Sequence, residues 1–460
     1  MSRVPPTEID SEPLDCREMA LSDLEQEIVA AVASREDDLV ELTSALVGYD
    51  TTARAPADPP RQERELQEHL AERLRRAGAQ VELVQADPAQ FEGKPLYPPG
   101  MGFEGRPQLI ARFPGKGSGK SLLFNGHIDA VSAEPIDQWT SDPFTAEVRD
   151  GNLYGRGSCD MKGGVAAMVL AAEVLAEQDI PLAGDLIVTT NTDEESSGAG
   201  GLALVLHGVS ADAGIVTEPT NFDVWISCRG TSYAEIKVPG RPGHAEVYQP
   251  HWREGGAVNA IEKAQVILDA LRLLREEWRN RSDLRHPRLS MPDVLPTLIS
   301  AGEWAVTYPA ECTITIAVLC VPQQTDADGW TFEVEREVDA WITRAAATDP
   351  WLAEHPPVVH WWPNRVMSLE ISPDEPIVPV VAEATSDIGR PGRLSGLDSW
   401  YDGATFTRLG GTPAIAYGPP GFAPDGRSVA HTIDEHVPVD GLVACAQGLA
   451  VAAVRFCGLA

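Results

Sequence analysis

The segment Gly155-Arg156-Gly157-Ser158-Cys159-Asp160-Met161-Lys162-Gly163-Gly164 runs directly into Val165-Ala166-Ala167-Met168-Val169-Leu170-Ala171-Ala172-Glu173-Val174-Leu175-Ala176-Glu177. Its second half, Gly163 to Glu177, reads as a helix that is apolar on nearly every face, and such a helix has to be buried. Short apolar runs flank it, Ser121 to Asn125 on one side and Asp185 to Thr190 on the other. Their length suits strands rather than helices. Strand, buried helix and strand form the repeating unit of a layered α/β sheet. Gln108 to Phe113, Gly214 to Thr217 and Val224 to Ser227 extend the same pattern. Upstream, helical periodicity runs from about Leu24 to Val47 and again from about Glu63 to Ala77. The expected fold class is therefore α/β, a layered domain with a mixed central sheet flanked by helices.

From about Arg229 the texture changes. A strand (Ser232 to Val238), a helix (Ala257 to Arg279), two strands (Leu295 to Ala301 and Glu311 to Val321), a helix (Thr331 to Ala347) and a strand (Val358 to Trp362) follow in turn. Read in order this is βαββαβ, a self-contained two-layer unit. Turn-rich α/β character returns from about Met367. The predicted organisation is an acidic N-terminal tail (1–24), a first piece of the main domain (25–228), an inserted domain (229–364) and a second piece (365–460).

Composition narrows the function. The chain has 460 residues, with 36 Lys and Arg against 69 Asp and Glu, a formal net charge of −33. Such an excess repels phosphate backbones and anionic bilayers, so nucleic-acid and membrane-surface partners are excluded from the expected roles. The seven cysteines are scattered without a CxxC pair, which fits reduced thiols. Neither a basic nor an apolar leader precedes Asp23. Gly441 to Ala460, interrupted by Gln447 and Arg455, suits a packed helix better than a membrane span. The expected location is the cytoplasm.

Five polar clusters follow or interrupt apolar runs. In Asn125-Gly126-His127-Ile128-Asp129, His127 and Asp129 stand two apart, on the same side of an extended chain. That suits a ligating imidazole with a carboxylate behind it, although a structural histidine would look the same. Asp160 is framed by glycines at a helix entrance, where an N-cap is the alternative. Asp193-Glu194-Glu195 ends a strand; if the three converge in a crevice, their repulsion needs a cation. Thr217-Glu218-Pro219-Thr220 and Ala430-His431-Thr432-Ile433-Asp434-Glu435 complete the set. Imidazole and carboxylate without thiolate suit zinc, cobalt or manganese, and a shared aspartate is what a two-metal site needs as a bridge. Two metals at such a bridge activate a water and polarise the carbonyl it attacks.

The order His127-x-Asp129, Asp160-Met161-Lys162-Gly163-Gly164, Asp193-Glu194-Glu195, Glu218-Pro219 and Ala430-His431 resembles the M20 metallopeptidase family. That family includes acetylornithine deacetylase, succinyl-diaminopimelate desuccinylase, aminoacylase and carboxypeptidase G. The resemblance covers nearly the whole chain from about Glu25. It implies that His127 and Glu218 hold one divalent metal, that Glu195 and His431 hold another, and that Asp160 bridges them. Zinc is the first choice of metal. It further implies Glu194 as general base, Asp129 as the residue orienting His127, and a cis peptide between Asp160 and Met161. The inserted domain becomes a lid and dimerisation domain, and Pro239-Gly240-Arg241-Pro242-Gly243-His244-Ala245 resembles the strand whose histidine, here His244, reaches a partner's site. Asn259, at the start of the lid helix, and Gly418 are implied substrate contacts, with a helix cap as the alternative for Asn259.

Two departures bear on the substrate. The stretch Tyr248-Gln249-Pro250-His251-Trp252-Arg253 is longer than the family pattern, and places Trp252 as a candidate aromatic contact. Ala317-Val318-Leu319 stands where many relatives carry Asp-x-Arg, which leaves Arg229, Arg253, Arg365 and Arg427 as candidates for binding a carboxylate. The leading expectation is a two-metal amidohydrolase, a homodimer acting on a small N-acyl or N-formyl amide. A formyl-aminopyrimidine deformylase, an aryl-amine hydrolase, a dipeptidase and a non-catalytic binding protein are the alternatives.

Overall fold

The computed structural model describes residues 21–53, 59–96 and 100–460. Most of the acidic tail, Cys16 included, falls outside them. The central sheet has nine strands and is mixed. Its middle is parallel: Leu122–His127 lies between Leu186–Asn191 and Ala213–Val216, and Ala414–Ala416 continues the parallel pairing. Antiparallel strands finish the edges, with Gln80–Val84 beside Gln108–Phe113 at one side and Leu369–Glu370 at the other. Every residue of Leu122–His127 and Leu186–Asn191 is buried, as expected of strands covered on both faces. The helix Gly163–Glu177 begins and ends where its sequence predicts.

The C-terminal helix Val439–Cys457 is apolar and long enough to cross a membrane, yet 83% of its most apolar window is buried inside the protein. It packs on Gly163–Glu177, on Asp23–Ala33 and on Ile377–Asp387. The helical stretch read from Leu24 to Val47 is two helices, Asp23–Ala33 and Glu36–Val47. The break falls at Ser34 and Arg35, and the Arg35 guanidinium is held there by Asp38, Glu173 and Glu177. Apolar periodicity carries across such a break, because both helices face the same core.

A second sheet of four antiparallel strands runs in the order Asp293–Ala301, Glu311–Cys320, Gly230–Pro239 and Val358–Trp361. Helices Ala260–Asn280 and Phe332–Ala346 cover one face of it. Ile267, Leu271, Leu274, Val334, Val338 and Ile342 meet Ile236, Ile314 and Ile316 there in a core of their own. Alternation along Gly230–Pro239, buried inward and exposed outward, makes this a two-layer unit.

Candidate active site

Three parallel strands deliver their carboxyl ends to one crevice, the usual ligand position in an open α/β sheet. His127 is the last residue of its strand. Glu194 and Glu195 follow Leu186–Asn191, and Glu218 follows Ala213–Val216. Asp160 comes from the turn before the buried helix, and its peptide bond to Met161 is cis. His431, at φ 62°, enters on the loop before His436–Pro438.

Asp160 lies between the two imidazoles. His127 Nε2 is 3.0 Å from its Oδ1, and His431 Nε2 is 3.4 Å from its Oδ2 and 3.0 Å from Glu195 Oε1. One potential ligand atom from each of His127, Asp160 and Glu195 falls within 4.8 Å of the others. Glu194 Oε2 stands 4.0 Å from His127 Nε2. Glu218 joins the same cleft, and one of its carboxylate oxygens is buried without a hydrogen-bond partner.

The supports of this cluster are mainly buried. The Nδ1 of His127 faces the main-chain carbonyl of Asp129 at 2.9 Å, while the Asp129 carboxylate is farther, at 3.6 Å. That carboxylate instead accepts the main-chain N–H groups of Glu194 (3.2 Å) and Glu195 (3.1 Å). Asp129 thus fixes the ring through its backbone and the Glu194–Glu195 turn through its side chain. Asp193, the third acid of that run, turns away to Arg106 at 2.9 Å. Burial and the nearby Asp129 push its carboxyl up to about 6, against the pull of Arg106.

Sequence reasoning gives no role to two further arrangements of buried side chains. Glu435 Oε1 accepts the N–H groups of Cys159 and Asp160, at 3.0 Å each, and Oε2 pairs with Arg156; both side chains are almost wholly buried. Asp402 accepts from Asn191 at 2.6 Å, Asn191 accepts from Asn125 at 2.7 Å, and burial raises Asp402 to about 7. An isolated Asp before Gly403, or a glutamate closing an acidic loop, carries no pattern that separates it from a surface turn.

The substrate candidates fare differently. Asn259 caps the helix Ala260–Asn280, its Oδ1 accepting from Ile261 N at 3.0 Å. Trp252 packs edge-on to Trp351 and His355, and it does not line this cleft. Gly418 is buried under the Glu218 loop, where an added Cβ would come within 2.2 Å of the Glu218 carbonyl oxygen. Its position there requires close backbone approach, and it is not among the residues that line the cleft. Arg229 is buried and donates to the Met291 carbonyl at 2.8 Å, with Asp398 3.3 Å away. Arg253 and Arg427 pair with Glu354 and Asp425 on the surface. Arg365 does line the cleft. His244 is exposed on the other unit, bridging to Thr307, and is outside the cleft of its own chain.

Electrostatics favour a cation here. Burial comes first for Glu194 and Glu218 and pushes both carboxyls well above the ordinary range; neighbouring acids add to it and His127 opposes it. Glu195 shifts upward for the same first cause, with Asp160 next. Burial also resists ionisation of Asp160, but hydrogen bonds from His127 and His431 outweigh it and hold that carboxyl low. His431 rises to about 10 through its bonds to Asp160 and Glu195. Both imidazoles turn a ring nitrogen toward carboxylates that a divalent ion could share. Oxygen and imidazole donors, a buried oxygen without a partner and the surplus of acids all fit such ions. Stripping divalent metal with a chelator is expected to lower the thermal midpoint, and restoring zinc to recover it. At a hundredfold excess over Kd, binding contributes about 2.7 kcal/mol. A midpoint indifferent to chelator and to added zinc, cobalt or manganese would count against a metal here.

A mixed α/β sheet gathers imidazoles and carboxylates at its parallel carboxyl ends, and His127, Asp160 and Glu195 could hold a metal ion there. The chain belongs to peptidase family M20/M25/M40, whose model matches residues 123–455. It is 27% identical over 428 residues to the N-formyl-4-amino-5-aminomethyl-2-methylpyrimidine deformylase of Bacillus subtilis, covering 90% of this chain and 93% of that one. A succinyl-diaminopimelate desuccinylase of Gluconacetobacter diazotrophicus is 43% identical, but over 36% of this chain and 43% of its own. In fold it is similar to a dinuclear metal-binding M20 peptidase of Bacillus subtilis, with a TM-score of 0.59 at 16% identity over 92% of this chain and 99% of the other.

Proposed function

We propose that the protein hydrolyses an N-formyl or N-acyl amide of a small molecule, releasing a carboxylate and an amine. The observation that carries this reading is the convergence of His127, Asp160, Glu195, Glu218 and His431 around one cleft, with Glu194 beside them. Similarity over nearly full length to a deformylase of formamido-pyrimidines supports the acyl group. His127 and Glu218 would hold one divalent ion, Glu195 and His431 a second, and Asp160 would bridge; zinc is the first choice, with cobalt or manganese as alternatives. Bound there, such ions supply Lewis acidity to the carbonyl and lower the pKa of water.

The side chains do the rest. Glu194 takes the proton of the attacking water and passes it to the departing nitrogen, so that the amine leaves neutral. The Asp129 carbonyl accepts His127 Nδ1–H, which leaves Nε2 free to face the cluster. Residues 229–364 act as lid and dimerisation domain. His244, supplied by a second copy of the chain, hydrogen-bonds the oxygen that gains charge in the transition state. A cytoplasmic homodimer acting on a small amide, with neither nucleic acid nor membrane as partner, is the form of the enzyme this reading requires.

Amine release by zinc-loaded protein from N-formyl, N-acetyl and N-succinyl amides tests the chemistry. Silence on all of them would sink the reading. Subunit mixing tests His244: His244→Ala and Glu194→Gln are each expected to be nearly inactive, yet co-refolded together they should recover about a quarter of full activity, because half the dimers then carry one complete site. No recovery would place His244 in its own chain's chemistry or outside it.

A further inference from the structure

We infer that Arg106 is a positioning residue for the reaction: through Asp193 it holds the turn that carries Glu194 and Glu195, and so sets the base against the metal ligands. The inference deepens the amide-hydrolase reading and rests on it for the roles of those two glutamates.

The turn sends three consecutive acids in different directions. Asp193 has φ 64°, in the left-handed region that a residue with a side chain enters at a cost. Past this reversal Glu194 and Glu195 line the cleft, while the Asp193 carboxylate faces Arg106. The main chain closes on the same residue: the Asp193 carbonyl accepts the N–H groups of Ser197 (3.0 Å) and Gly198 (2.7 Å). Two carboxylates then anchor the turn. That of Asp129 takes the N–H groups of Glu194 and Glu195. That of Asp193 accepts from Arg106 Nη1 at 2.9 Å through Oδ1 and from Thr192 Oγ1 at 2.6 Å through Oδ2.

Arg106 is itself fixed. Its side chain is 3% exposed, and its N–H donates to the Phe103 carbonyl at 2.9 Å, with Phe103 packed on Phe91 at a centroid distance of 4.9 Å. Gln108 ties it directly to the turn: Nε2 donates to the Arg106 carbonyl at 3.0 Å and to Thr192 Oγ1 at 3.1 Å, and Oε1 accepts from Thr192 N at 2.9 Å. Burial and the charge of Asp129 both work against an ionised Asp193, and Arg106 is the cation that opposes them. The ion pair is neutral as a unit, so it adds no net charge beside the divalent ions proposed for Glu195, Glu218 and His431. Its effect on them is geometric. A base has to meet the water those ions would share, and a misplacement of about 1 Å can cost on the order of 100-fold in rate.

Full-length Arg106→Met, Asp193→Asn, their double variant and Arg106→Lys test the hold. With zinc saturating, Arg106→Met is expected to lower kcat about 30-fold with KM changed less than about threefold, and to weaken zinc binding about tenfold. Arg106→Lys keeps a charged donor and should recover most of both. Because Arg106 acts through Asp193, kcat of the double variant should stay within about threefold of that of Arg106→Met, where independent effects would multiply. The double variant removes both buried charges, which keeps the test open if Arg106→Met fails to fold. Hydrogen exchange in metal-free protein reads the hold without turnover: the N–H groups of Glu194 and Glu195 should exchange about tenfold faster in Arg106→Met and in the double variant, and near the original rate in Arg106→Lys. A kcat kept within about threefold at saturating zinc, losses that multiply, or unmoved exchange across residues 193–198 overturns the inference. If the unsubstituted protein hydrolyses no amide, the amide-hydrolase reading falls, while exchange and zinc affinity still decide whether Arg106 holds the turn.

Discussion

Glu194→Gln is expected to lower kcat by about 10³- to 10⁴-fold while the protein keeps its fold and binds divalent metal as the unsubstituted protein does. The carboxylate is buried and stands 4.0 Å from His127 Nε2, on the cluster but outside the set of ligand atoms that approach within 4.8 Å. Glutamine has the same shape, so packing and the main-chain bonds to Asp129 survive, and only the capacity to take a proton is lost. Because the base acts in the transition state and contributes little to holding substrate, kcat and kcat/KM should fall together with KM nearly constant. Steady-state kinetics beside metal analysis of the same preparation decide it. A variant that loses metal along with activity would make Glu194 a ligand, and one that retains activity would remove it from the chemistry.

How much of this was legible in the chain differs by the kind of signal. The central strands and the buried helix could be read because apolar runs of fixed length leave few alternatives, and Gly163–Glu177 agrees end for end. The small sheet of Glu147–Arg149, Asn152–Tyr154 and His436–Pro438 left no trace, since three-residue strands have no period to detect. The polar clusters stood out because charged residues follow directly on apolar strand ends. Their supports did not: Arg156, Glu435, Asp402 and Arg106 act through contacts up to 279 residues apart, and a single sequence holds no record of such pairs. Trp225 reads as a core strand residue, whereas Trp252, in the unusual loop, drew attention and proves to be packed against Trp351.

Glu435→Leu is expected to be the most damaging change outside the cluster. Two effects combine in it, and they can be separated. Arg156 and Glu435 form an ion pair with side chains 3% and 1% exposed. Removing one partner strands a buried charge, at a cost of about 3–5 kcal/mol. The same carboxylate accepts the N–H groups of Cys159 and Asp160, so its loss also frees the turn that presents Asp160 to His127 and His431. Second-sphere losses of this kind typically lower metal affinity about 10- to 100-fold. The double change Arg156→Met with Glu435→Leu removes both charges, and should recover much of the stability measured by denaturant unfolding. It leaves the two N–H groups without their acceptor, so metal affinity should stay low. Glu435→Gln is the converse case, keeping an acceptor oxygen while leaving Arg156 uncompensated: affinity should be largely retained and stability lost. Should stability and zinc affinity instead move together across all three variants, the pair would be acting only as part of the packed core, and the proposed hold on Asp160 would be wrong.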